Sequence, residues 1–161
     1  MTHPADEREV PWDAGRDGPR VLELHRRLGE AREPVRDLDR GVKFLIEGLA
    51  YRIQDDRFSA AEARRGTAGV VQRLTASVDA VLGLKDRFLN GWVVGFTEYP
   101  GANGDPTTFR AWVGGPGYIS DDHTDDYCEF TSYTPALALC GAVLNGVYIR
   151  YLGGARLADP N

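Results

Sequence analysis

Eleven residues, Ser120 to Phe130 (SDDHTDDYCEF), hold four aspartates, a histidine, a cysteine and a glutamate. Three chemistries draw on such side chains. A calcium ion takes about six to eight oxygen ligands, and closely spaced aspartates on a turn supply them. Asp121, Asp122, Asp125 and Asp126 are the carboxylates such an ion would use. The spacing is not that of an EF-hand loop, because the Asp-x-Asp-x-Asp-Gly run is missing and Glu129 falls in a predicted strand. Zinc would join His123 and Cys128 to two further ligands, yet the other histidines, His3 and His25, are distant in the chain. The sequence therefore predicts neither a metal nor another cofactor.

The third chemistry is proton transfer. Neighbouring carboxylates favour the charged form of a histidine, so His123 with Asp122 and Glu129 forms the candidate catalytic set. What the stretch lacks is an activated nucleophile. Cys128 is expected to point inward from a strand as a buried thiol, like Cys140. There is no GxSxG elbow, and GANGDP (101–106) has neither the lysine of a phosphate loop nor GxGxxG spacing. The stretch divides best into an acidic loop, 120–126, and the start of an alternating strand, 127–130. Aspartates suit such loops because their carboxylates bond nearby backbone N–H groups.

A second group of candidates is aromatic. Trp112, Tyr127, Tyr133 and Tyr148 are candidate ligand-binding residues with flat faces for stacking. Residues 90–161 carry 8 acidic and 3 basic side chains, which accounts for the whole net charge of −5. A polyanion would be repelled there, so nucleic acid is disfavoured relative to a protein with a basic surface or a neutral ligand.

The elements that position these residues follow from periodicity. Residues 1–18 mix charges with Pro and Gly and predict a flexible arm. Residues 19–89 read as a helical region. Val21, Leu24 and Leu28 mark a first helix. Val35, Leu38, Val42, Leu45 and Leu49 mark a second, widened by Ile46 and Ile53. Ser59 and Glu62 form a capping box for a third helix whose stripe runs Val71, Leu74, Val78, Val81, Lys85 and Phe88. The second and third helices predict an antiparallel hairpin, broken at 55–58, with heptad-like seams that need a partner. That partner is the rest of the chain or a second subunit. Gly41 and Gly48, seven apart, share a face that permits close backbone approach or marks local breaks.

Residues 90–157 read as a small β-rich head with one short helix, followed by a tail at 158–161. They hold 11 of the 16 aromatic residues. GWVVGFTEYPG and TTFRAWVGG alternate as strands around the loop PGANGDP, Tyr118 and Ile119 suggest a short strand, and YCEFTSY is a third substantial one. In TPALALCGAVLNGVYIRYLGG, Thr134 and Pro135 suit a helix start. Asn145-Gly146 then either ends a helix before a last strand or turns a hairpin. With the helix, the order strand, strand, strand, helix, strand resembles the OB-fold in topology, and a β-meander packed on the helices predicts nearly the same string.

The expected fold class is therefore α+β: an N-terminal helical hairpin followed by a small antiparallel, OB-like or meander head. No apolar run is long enough to span a membrane, and residues 1–20 lack a secretory apolar core, so the expected location is the cytoplasm. An excess of 17 arginines over two lysines fits a GC-rich bacterial genome. The function expected is a non-enzymatic interaction module or assembly subunit. It would self-associate through its helices as a homo-oligomer and present the acidic, aromatic head to a partner. The alternative is a small enzyme or ligand-binding protein with its site near 120–129.

Overall fold

The computed structural model describes residues 14–52, 71–152 and 154–159. The chain is mixed helix and sheet. Helix α1 (Ala14–Glu30) leads to α2 (Arg36–Arg52) and α3 (Val78–Phe88). Strands β1 (Val93–Tyr99) and β2 (Thr108–Gly114) follow, then a single turn of helix, α4 (Pro116–Ile119). Strand β3 (Tyr127–Ser132) and helix α5 (Pro135–Leu152) complete the order.

The three strands form an antiparallel meander in the order β1-β2-β3. Alternation sets its two faces. Ala111 and Val113 on β2, with Cys128, Phe130 and Ser132 on β3, point inward and are buried. Arg110 and Trp112 point the other way, opposite Thr97 and Gly95 on β1 and Thr131 and Glu129 on β3. The strands expected from alternation are present, and the loop between the first two turns through Asn103 and Gly104, both at positive φ.

Helix α5 is the centre of the fold. Residues 136–147 are all buried, so no polar stripe runs along this part of the helix. It packs on β2 and β3 and is also touched by α1, α2 and α3. Gly141 brings it close to the sheet: a Cβ there would lie 2.3 Å from the Phe130 ring. One buried cluster thus runs from Val21 and Leu24 through Leu38, Val42 and Phe88 to Leu139 and Val147.

This helix corrects the expected C-terminal strand and, with it, the OB-like order. Asn145-Gly146 neither ends the helix nor turns a hairpin. The Asn145 amide is buried and bonds the backbone of Leu157, donating to its carbonyl at 2.9 Å and accepting from its N–H at 3.1 Å. A Cβ on Gly146 would press on Leu89, Trp92 and Val113. Burial and these bonds override the local turn preference.

Other expectations shift as well. Helix α1 takes in residues 14–18 of the predicted arm and carries Pro19 inside it. Helix α3 begins only at Val78, because Ser77 accepts from the Ala80 N–H as its N-cap, leaving Val71 and Leu74 outside the helix. Tyr118 and Ile119 lie in α4 rather than a strand. Pro116 has its φ set for a helix start, and the Asp126 carboxylate takes the free N–H groups of Gly117 and Tyr118. Residues 1–13 of the arm, Ile53, the break at 55–58 and the Ser59–Glu62 capping box lie outside the described residues. So do the turn of the expected hairpin, the surroundings of Gly48 and the side chain of Leu49. Gly41 does permit close approach, since a Cβ there would meet Leu24 at 2.8 Å.

Candidate functional site

The acidic loop is organised by backbone bonding. Asp126 is buried, and its two carboxylate oxygens accept from the N–H groups of Gly117 at 2.8 Å and Tyr118 at 2.9 Å. It acts as a remote N-cap for α4, whose own cap residue Gly115 offers no side chain. The Gly117 carbonyl in turn accepts from the Asp122 N–H, and the Asp122 carboxylate accepts from the Ser120 hydroxyl at 2.7 Å. His123 lies over Gly117, where a Cβ would be 2.1 Å from the ring, and its Nδ1 is 3.9 Å from the exposed Asp125 carboxylate. Asp121 is held at φ 60, a left-handed conformation that aspartate tolerates better than most residues.

These contacts disperse the candidate metal ligands. Among the described residues, no three His, Cys, Asp or Glu side chains converge in a way that could hold an ion. The candidate catalytic set is also divided. Asp122 is engaged with Ser120, His123 is nearest Asp125, and Glu129 lies on the outer face of β3, where it accepts from the Tyr127 hydroxyl at 2.8 Å. Cys128 and Cys140 are free and buried, and burial pushes each thiol up to about 12, so neither is a ready thiolate.

The aromatic candidates fall into three places. Trp112 and Tyr127 share the outer face of the sheet, with ring centroids 5.9 Å apart. Tyr118, which was not among the ligand-binding candidates, completes the group from α4 at 5.9 Å from Trp112 and 4.9 Å from Tyr127. Glycines make the arrangement fit: a Cβ on Gly95 would strike the Trp112 indole, and one on Gly114 would strike Tyr118. Burial first, then the bond to Glu129, holds the Tyr127 phenol protonated well above its ordinary range. Tyr133 is elsewhere, at the end of β3 under the Arg32 guanidinium, 4.6 Å from its ring. Tyr148 belongs to α5 and packs against the hydrophobic core.

The outer face is therefore an aromatic cluster with a carboxylate beside it. Tyr118 joins that cluster to the acidic loop, where Asp121, Asp122 and Asp125 are exposed. Sequence alternation pointed to Trp112 and Tyr127. Tyr118 was missed because its place depends on the α4 turn, which Asp126 stabilises from eight residues away. No family model matches this chain, and no curated protein or solved structure matches it either.

Proposed function

We propose that this protein is a non-enzymatic interaction module whose outer sheet face binds a basic protein segment. The observation that carries this reading is the Trp112–Tyr118–Tyr127 cluster, flanked by Glu129 on one side and the exposed carboxylates of Asp121, Asp122 and Asp125 on the other. Aromatic faces attract guanidinium and ammonium groups, and neighbouring carboxylates strengthen that preference while repelling polyanions. Partner-binding surfaces are also enriched in Trp and Tyr.

Self-association through the helical seams receives less support. Val21, Leu24, Leu28, Leu38, Val42, Leu45, Val81 and Phe88 are buried within the chain, largely around α5. The enzyme alternative gains no nucleophile from the geometry, since Ser120 is bonded to the Pro116 carbonyl and to Asp122 while both thiols are buried. Among the described residues no helix is long and apolar enough to cross a membrane.

A titration tests the proposal. An arginine-glycine heptapeptide is added to the labelled protein and compared with a peptide in which glutamine replaces arginine. The expected result is a set of NMR shift changes centred on Trp112, Tyr118, Tyr127 and Glu129 with the arginine peptide alone. Loss of the Trp112 side chain in Trp112→Ala is expected to weaken binding about tenfold or more. Equal binding of the glutamine peptide, or shifts centred elsewhere, overturns the assignment.

A further inference from the structure

The hydrogen-bond parity of the sheet identifies which backbone groups β1 turns outward. The Thr131 N–H points away from β2, because it donates to Asp159 at 3.0 Å, and the Tyr127 carbonyl accepts from Arg156 on the same side. In an antiparallel ladder, alternate residues bond to opposite sides. Cys128, Phe130 and Ser132 therefore bond to Val113, Ala111 and Phe109. By the same alternation Thr108, Arg110 and Trp112 bond to Tyr99, Thr97 and Gly95. That leaves the N–H and C=O groups of Val94, Phe96 and Glu98 facing out from β1, and among the described residues nothing pairs with them.

This edge is also apolar. Val93, Phe96 and Tyr99 are 39%, 41% and 42% exposed, and they make up three of the seven large hydrophobic residues exposed among the described ones. Phe96 has the same facing as the buried Ala111, yet α5 packs over β2 and β3, so its ring is left uncovered on the helix side. The strand carries one charge, Glu98, and no proline. Native edges are usually protected by charge, proline, a bulge or a covering segment.

We propose that β1 pairs antiparallel with β1 of a second copy of this chain, across a two-fold axis through Phe96, to make a continuous six-stranded sheet. The strand is self-complementary in this register. The outward-bonding residues meet one another, Phe96 opposite Phe96 and Val94 opposite Glu98, with Cα atoms about 5.5 Å apart. Each uncovered Phe96 ring meets its copy on the helix side, where neither α5 reaches. The two Glu98 carboxylates fall at opposite ends of the pair, about 14 Å apart along the strands. A parallel pairing would instead set them side by side. A two-fold axis normal to the sheet keeps both helix layers on one side and both outer faces on the other, so the dimer forms whether or not the outer face binds a basic segment.

Sedimentation and hydrogen exchange on the full chain test this together. The mass is expected to rise from 17.7 kDa toward twice that value as concentration increases. Over the same range the amides of Val94, Phe96 and Glu98 should become protected at least tenfold, while those of Gly95 and Thr97, already bonded to β2, should not change. Phe96→Lys sets two cations face to face and should remain a monomer with an unchanged circular dichroism spectrum. Ile119→Lys, which removes an exposed apolar residue elsewhere, should dimerise normally. A strictly monomeric wild type, a dimer that survives Phe96→Lys, or a dimer lost in Ile119→Lys overturns the proposal. So does protection of the three amides that is independent of concentration, because it would mean that the edge is covered from within the same chain.

Discussion

At one edge of the sheet, β3 passes outward backbone groups at its two ends to side chains from a neighbouring segment. Asp159 accepts from the Thr131 N–H and hydroxyl, Arg156 donates to the Tyr127 and Thr124 carbonyls, and Asn145 fixes the segment through Leu157. At the other edge, β1 leaves three residues' worth of equivalent groups open among the described residues and surrounds them with apolar side chains. Both edges belong to one short meander, so strand propensity does not explain the contrast. The difference is in what covers them: residues 154–159 run beside β3 and hold the Thr131 N–H and the Tyr127 carbonyl with side chains, which ties down both ends of that edge without adding a strand. Unpaired backbone groups are costly only when water cannot reach them. The β1 edge is therefore tolerable in a monomer while remaining a template for association.

Disabling the β3 clamp breaks this comparison most sharply. Asn145→Ala removes both bonds to Leu157 from a buried site and is expected to cost about 2–4 kcal/mol, read from urea melts. A loss below about 1 kcal/mol would mean that the segment is held by other contacts. Asp159→Ala leaves the Thr131 N–H without its acceptor and should cost about 1–3 kcal/mol, with faster exchange of that amide in particular. The same side of the molecule should be sensitive to acid. His25 is 6% exposed, its ring meets Phe130 edge-on at 4.9 Å, and its Nε2 has no hydrogen-bond partner among the described residues. Burial lowers its pKa below 6.5, with Asp159 opposing the shift. The unfolded chain then takes up the proton first. Stability should be full above about pH 6.5, fall as pH drops below it, and level off beneath the lowered folded value. His25→Phe should flatten this part of a plot of melting midpoint against pH. The smallest effect belongs to β1: at low protein concentration, Phe96→Lys should change unfolding free energy by less than about 0.5 kcal/mol, because that side chain lies outside the buried core of the monomer.

The strands and most of the helices were visible in the sequence while the contrast between the two edges was not, and the failures have physical causes. Alternation located all three strands and the facing of Trp112 and Tyr127, and in β2 and β3 it follows from one face being buried and the other not. The helical stripes around Leu24, Leu38 and Phe88 were likewise legible, since each helix buries a single side. Helix α5 was not, beyond its first half. A segment buried all round has no polar stripe to set its period, and Asn145-Gly146 carries the local signature of a turn. Only the Leu157 backbone and the packing of Leu89, Trp92 and Val113 explain those two residues, and both are non-local. The candidate site divides in the same way. The acidic loop was recognised as a loop, but the use of Asp126 as a cap for α4, and hence the position of Tyr118, depends on a contact between residues that no short-range rule connects.

The central place of α5 also bears on how the molecule is made. A chain emerges from the ribosome N-terminus first, and α5 is the last helix of the described fold to appear. Until residues 135–152 are free to move, α1, α2 and α3 lack the surface they pack on, and Phe130 and Val113 have no helix over them. Earlier elements therefore wait as a partly collapsed nascent chain with apolar surface exposed. Completion of the fold is therefore expected to wait for this late helix and to follow in one cooperative step once it docks.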